Sequence, residues 1–227
     1  MSKKFGLKKI IIAIVMVLLL AIYIITIIRG KAININDVLK ISVIENNTVI
    51  VYEGENAKAF LTSLNQKIRV KKDSYSYNEL QNSLQIVNKE LAKRASEVYY
   101  NKISKHVKHS FKLNASQACL FDVKLNKKQR KALINVLGVD WFNVYSVSQK
   151  QEYIVPPNNS VHFEFYPFMK YSKGNIERWY NCSNYKNIKI CLEQKEVETY
   201  SPKYIIEKGE RILNGVFKIK EHNITNE

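Results

Sequence analysis

The chain has 227 residues, 46% of them hydrophobic, and 36 Lys and Arg against 20 Asp and Glu, for a net charge of +16. That length suffices for one domain or two small ones. With only seven Gly, no glycine-rich phosphate loop is present, and neither a fixed-period repeat nor a low-complexity tract interrupts the chain.

The charge is concentrated. Residues 67–131 hold sixteen basic and five acidic residues, while residues 132–227 are close to balanced. A local excess of this kind points to a polyanionic partner or to a solvated face, and has no bearing on fold.

Residues 1–9 are a basic tail carrying Lys3, Lys4, Lys8 and Lys9. Residues 10–28, from Ile10 to Ile28, are uncharged throughout. A helix of that length would reach roughly 28 Å, close to the thickness of a bilayer's hydrocarbon core. The stretch is therefore predicted to be a single transmembrane helix. Arg29 and Lys31 follow where a cleavable signal would place small residues, so an uncleaved signal-anchor is expected. The Lys excess before it predicts a cytoplasmic N-terminus, with residues 32–227 as one extracytoplasmic domain at the cell membrane.

Residues 32–66 read as strand, turn, strand and helix. Val38–Ile44 and Thr48–Tyr52 are β-branched runs joined through Asn46-Asn47, and Asn56–Leu64 places Ala57, Phe60, Leu61 and Leu64 on one helical face. Residues 67–138 are predicted to be a basic helical segment. Leu80, Leu84, Val87, Leu91, Ala95, Val98, Ile103, Val107 and Phe111 recur at three- to five-residue steps, giving a helix over 77–112. Its other faces carry Lys89, Lys93, Arg94, Lys102, Lys105, Lys108 and Lys112. A second helix follows, with Asn126 as N-cap and Gly138 as the stop.

Over residues 139–227 the period falls to two. Strands are predicted over 141–147, 153–155, 161–168, 176–182, 188–192, 197–206 and 212–219. Breaks are expected at Pro156-Pro157-Asn158-Asn159, Lys173-Gly174-Asn175 and Asn214-Gly215. The fold class that results is α+β: a transmembrane helix, a helical segment, then an antiparallel sheet. By analogy at fold level, a cystatin-like or NTF2-like helix-on-sheet module is one solution.

Cys182 and Cys191, separated by a turn-forming stretch, are the pair expected to form a disulfide in an oxidising compartment, with Cys119 a buried free thiol. His106 and His109 stand at a metal-ligand spacing but lack a third ligand, so no metal and no cofactor is expected. His162 and Glu164 share a strand face and are the weak catalytic candidates for an anchored hydrolase. No nucleophile elbow or paired-cysteine zinc signature accompanies them. The expected role is therefore non-enzymatic: a binding protein or a subunit of an envelope complex. The alternative binding mode is capture of an anionic envelope polymer or lipid through residues 67–131. Lys89, Lys93, Arg94, Lys102, Lys105 and Lys108 are the candidate anion-binding residues. Nucleic acid is not expected, because the aromatics are not interleaved with the basic run.

Overall fold

The computed structural model describes residues 3–87 and 89–224, and their side chains except those of residues 3–10, 13, 26–29 and 84–87. Strands hold 56% of the chain and helices 22%. In chain order the elements begin with α1 (Lys3–Arg29), β1 (Lys31–Ala32), β2 (Lys40–Glu45), β3 (Thr48–Glu53), α2 (Gly54–Ser63) and β4 (Arg69–Val87). Next come β5 (Lys93–Arg94), β6 (Tyr99–Asn101), β7 (Val107–Gln117), β8 (Leu120–Phe121), α3 (Lys127–Leu137) and β9 (Tyr145–Val155). The chain closes with β10 (Asn159–Cys182), β11 (Ile188–Pro202), β12 (Tyr204–Glu207), β13 (Glu210–Leu213) and β14 (Gly215–Asn223). It divides into two compact units, residues 1–76 with 176–195 and residues 77–175 with 196–227. The divisions fall inside β4, β10 and β11.

In the first unit the strand order is β1-β4-β10-β11-β2-β3. The pairings of β1 with β4, β11 with β2 and β2 with β3 are all antiparallel. The β2–β3 hairpin turns at Asn46 and Asn47, whose φ values of 47° and 62° are the left-handed pair that a tight hairpin turn requires. Its position agrees with the sequence reading. Helix α2 lays Ala57 and Leu61 onto a core of Val38, Ile41, Val43 and Ile190.

Two expectations fail in this unit. Among the described residues no helix is long and apolar enough to cross a membrane. Of the expected span 10–28, the side chains of residues 10, 13 and 26–28 lie outside those described. The transmembrane anchor does not stand, and neither do the cytoplasmic N-terminus nor the cell-membrane location inferred from it. The second failure is the disulfide: Cys182 and Cys191 are both free and buried. Cys182 shares a core cluster with Ile188 and Ile190. Cys191 comes one residue after Ile190 on β11, so strand alternation turns it to the opposite face. There its thiol donates to the Glu193 carbonyl at 3.4 Å. Burial, with the Glu177 carboxylate adding to it, pushes that thiol up to about 11. A thiol of that pKa is a poor nucleophile at neutral pH. Neither cysteine should react with maleimide in the folded protein, and after denaturation both should react equally with or without reductant. A need for reductant would re-establish the bridge.

The second unit is built on β10. There β5, β6 and β14 pair with β10, β8 pairs with β11, and β7 with β9 and β12 with β13 form separate two-stranded ribbons. Phe111, Leu113, Val155, Val161 and Phe163 form one core cluster. Helix α3 starts at a full capping box between Asn126 and Gln129 and stops at Gly138, as the sequence predicts.

The helix expected over 77–112 is absent. Residues in that range form the end of β4, two short strands and the start of β7, so the α+β, helix-on-sheet class gives way to a largely antiparallel β structure. The reason lies in the spacing. Val107 and Phe111 are four apart, which returns to the same face of a strand as well as of a helix. The intervening pattern decides between them: along β7 exposure alternates strictly, with Lys108, Ser110, Lys112, Asn114 and Ser116 outward.

Gly174 is also reassigned. It does not break a strand, because β10 runs 24 residues straight through it. A Cβ there would lie 2.7 Å from the Tyr77 ring and closer still to the Asn78 carbonyl. The glycine permits close strand approach and makes no turn. Gly174→Ala should destabilise the protein by at least about 1–3 kcal/mol in urea denaturation. An unchanged midpoint would mean that the Tyr77 ring yields without penalty.

Candidate functional site

Two of the basic residues, Lys93 and Arg94, form β5 on the second unit, at the start of the segment that leads to β6. This segment is held from both sides by backbone hydrogen bonds. The Ala95 N–H donates to the Phe163 carbonyl on β10 at 2.7 Å, and the Ala95 carbonyl accepts from the Asn114 N–H on β7 at 2.8 Å. The Ser96 hydroxyl accepts from the Phe163 N–H at 2.9 Å. Ala95 itself is buried, and its neighbours Arg94 and Glu97 are exposed.

Between this segment and β7 lies a cleft of about 660 Å³. Arg94, Ser96, Glu97, Tyr99, Lys112 and Asn114 are among its lining residues. Arg94 and Asn114 also line a second cavity of about 200 Å³, together with Lys93 and the buried Gln117. The two hollows therefore follow one line along β7. Tyr99 stacks on His109 with ring centroids 3.9 Å apart, and Phe111 meets His109 edge-on at 4.7 Å. The stacked pair gives shape to one end of the cleft.

The charges are exposed and poorly compensated. Among the described residues Arg94 and Lys112 form no ion pair, and Glu97 is the lone carboxylate on the cleft wall. The Lys93 ammonium donates to Gln117 Oε1 at 3.3 Å, and the Gln117 amide in turn donates to the Ala118 carbonyl at 2.9 Å. Gln117 thus orients Lys93 from beneath.

The six candidate anion-binding residues separate. Lys93 and Arg94 line the two hollows. Lys89 sits on a 3-10 turn before them, and Lys102 and Lys105 lie exposed on the loop between β6 and β7. That loop is anchored by the buried Asn101, whose amide donates to the carbonyls of Lys105, Val155 and Pro156 at 2.8–3.0 Å. Lys108 is engaged by Glu152 at 2.6 Å. Sequence reasoning had put Lys112 on a helix face and passed over Ser96, Tyr99 and Asn114. The alternation of polar residues from Lys108 to Ser116 was the signal that could have grouped Lys112 with Asn114.

His162 and Glu164 do come together on β10, with Nε2 and Oε1 3.8 Å apart. Glu164 also accepts from the Tyr166 hydroxyl at 2.8 Å and faces the Lys220 ammonium at 3.4 Å. The Tyr166 hydrogen bond, opposed by burial and aided by Lys220, holds the Glu164 carboxyl below its usual range. A general acid needs the opposite shift. His106 and His109 stand on a loop and on β7, and no metal-holding cluster occurs among the described residues.

No family model matches this chain, and no curated protein matches it. Among solved structures it is similar to the crystal structure of the parasporin-2 Bacillus thuringiensis toxin that recognizes cancer cells. The likeness is 7% identical in sequence, covers 82% of this chain and 85% of that one, and has a TM-score of 0.26. A likeness that weak carries no argument about fold or activity.

The Glu164 cluster makes a definite statement about stability. A carboxyl whose pKa is lowered by folding stabilises the folded state above its ordinary pKa, and that contribution disappears as pH falls through the lowered value. Glu164→Gln should therefore lower the melting temperature at pH 7 and flatten its fall between pH 5 and pH 3. Parallel melting curves for both proteins would show that Glu164 is not stabilised by Tyr166 and Lys220.

Proposed function

We propose that this protein is a non-enzymatic binding protein that takes a polyanionic ligand along the cleft between the β5–β6 segment and β7. The observation that carries this reading is that Arg94 and Lys112 line the cleft with no ion pair among the described residues, while Lys93 is held toward the adjoining hollow by Gln117. Exposed cations without partners raise the local concentration of anions and pair with them on contact. Arg94 offers a planar fork of donors suited to oxyanions, and Lys93 and Lys112 add point charges. Ser96 and Asn114 supply neutral hydrogen-bonding groups between them. Glu164 does not serve the hydrolase reading as a general acid, because Tyr166 and Lys220 hold it in its charged form.

The test is titration of the full chain with inorganic polyphosphate and with poly-glutamate, followed by calorimetry. Arg94→Ala and Lys112→Ala should each weaken binding by about fivefold, the equivalent of one exposed ion pair. Raising ionic strength from about 0.05 M to about 0.5 M should weaken the parent further, because exposed charges are screened. Lys189→Ala, which removes an exposed lysine of the first unit, should leave binding unchanged. Equal losses from all three variants would mean that net charge alone attracts the polymer and that the cleft is not the site.

A further inference from the structure

The ribbon of β7 and β9 sets Lys112 directly opposite Lys150. Directly opposed residues on an antiparallel pair stand side by side on one face, with Cβ atoms about 4.5–5.5 Å apart. Both lysines are exposed, and among the described residues neither forms an ion pair. Like charges in this position destabilise a ribbon.

The ribbon offers the pair no relief. On one side the Ser148 hydroxyl donates to Asn114 Oδ1 at 2.8 Å, a neutral cross-strand bond. On the other side Ser110 faces Glu152, the carboxylate that comes nearest along β9. That carboxylate is already held by Lys108 at 2.6 Å. Two adjacent positive charges are thus fenced by a satisfied amide–hydroxyl pair and a satisfied ion pair. Lys112 also lines the cleft, and Lys150 stands beside it across the ribbon.

Resting on the anion-binding reading above, we propose that Lys112 and Lys150 clamp a dianionic tetrahedral group, a phosphoryl terminus of the ligand. The argument is charge balance and geometry. Two ammonium groups are neutralised by one group carrying about two negative charges, as a phosphate monoester does near neutral pH. Three outward oxygens on one centre reach two separate donors at once. A carboxylate carries one charge and leaves the second lysine uncompensated. Binding at this pair also removes the repulsion across the ribbon, so the ligand stabilises the strands that hold it.

The experiment compares inorganic tripolyphosphate, inorganic sulfate and poly-glutamate as probes of the full chain, by calorimetry and by thermal melting. The parent should prefer tripolyphosphate to poly-glutamate by about fivefold per charged group, and sulfate should raise its melting temperature. Lys150→Gln should lose that preference and keep its poly-glutamate binding through Arg94 and Lys112. Lys150→Glu gives Lys112 a cross-strand carboxylate, so without ligand it should melt at a higher temperature than the parent. A parent that does not discriminate, or a Lys150→Gln variant that keeps the preference, would overturn the clamp while leaving the cleft intact. Poly-glutamate and tripolyphosphate binding that is insensitive to Arg94→Ala and Lys112→Ala would instead remove the underlying reading.

Discussion

Strand β10 has little free surface, and that constraint governs the rest. In the second unit it accepts pairing from β5, β6 and β14, and its inward residues Val161, Phe163 and Phe165 are buried. A strand enclosed in this way must satisfy its backbone groups through neighbours, because water cannot reach them. The Phe163 carbonyl and N–H are met by the Ala95 N–H and the Ser96 hydroxyl. The segment carrying Arg94 is therefore fixed by the backbone needs of the core strand. The Ser96 side chain completes that anchoring.

From that anchoring the electrostatics follow. Ala95 is bonded to β10 on one side and to Asn114 on the other, so Arg94 and Glu97 have to face outward beside β7. Strand alternation then sends Lys112 and Asn114 to the outward face of the ribbon while Phe111 and Leu113 fill the core. One periodicity thus serves both tasks: Phe111 and Leu113 hold the ribbon down, while Lys112 and Asn114 present polar groups to the cleft. The same alternation on β11 separates Cys191 from the cluster that holds Cys182.

Elements with local chemical signals were legible in the sequence. Asn46-Asn47 declares a hairpin, and Asn126 with Gly138 brackets a helix, because each signal acts within a few residues. The stretch from Tyr77 to Lys112 was not legible, because apolar spacings of four fit a helix and a strand equally well and the decision lies with distant pairing partners. Gly174 failed for a related reason: a glycine that admits a neighbouring ring looks, in sequence, like one that makes a turn. The cations at Lys93 and Arg94 stood out as part of a charged run. Lys150 did not, since its significance depends wholly on the register that sets it opposite Lys112. The apolar run at the N-terminus and the cysteine pair were read from composition and spacing, and neither the span nor the bridge is present among the described residues.

The bond between Lys93 and Gln117 has an entropic consequence. A free lysine side chain samples many rotamers, and ordering it costs about 1.5–2 kcal/mol. Gln117 is buried and fixed by its own bond to the Ala118 carbonyl, so it restricts the Lys93 ammonium when the chain folds. The loss of freedom is then charged to folding, and an arriving anion meets a cation that has little disorder left to surrender.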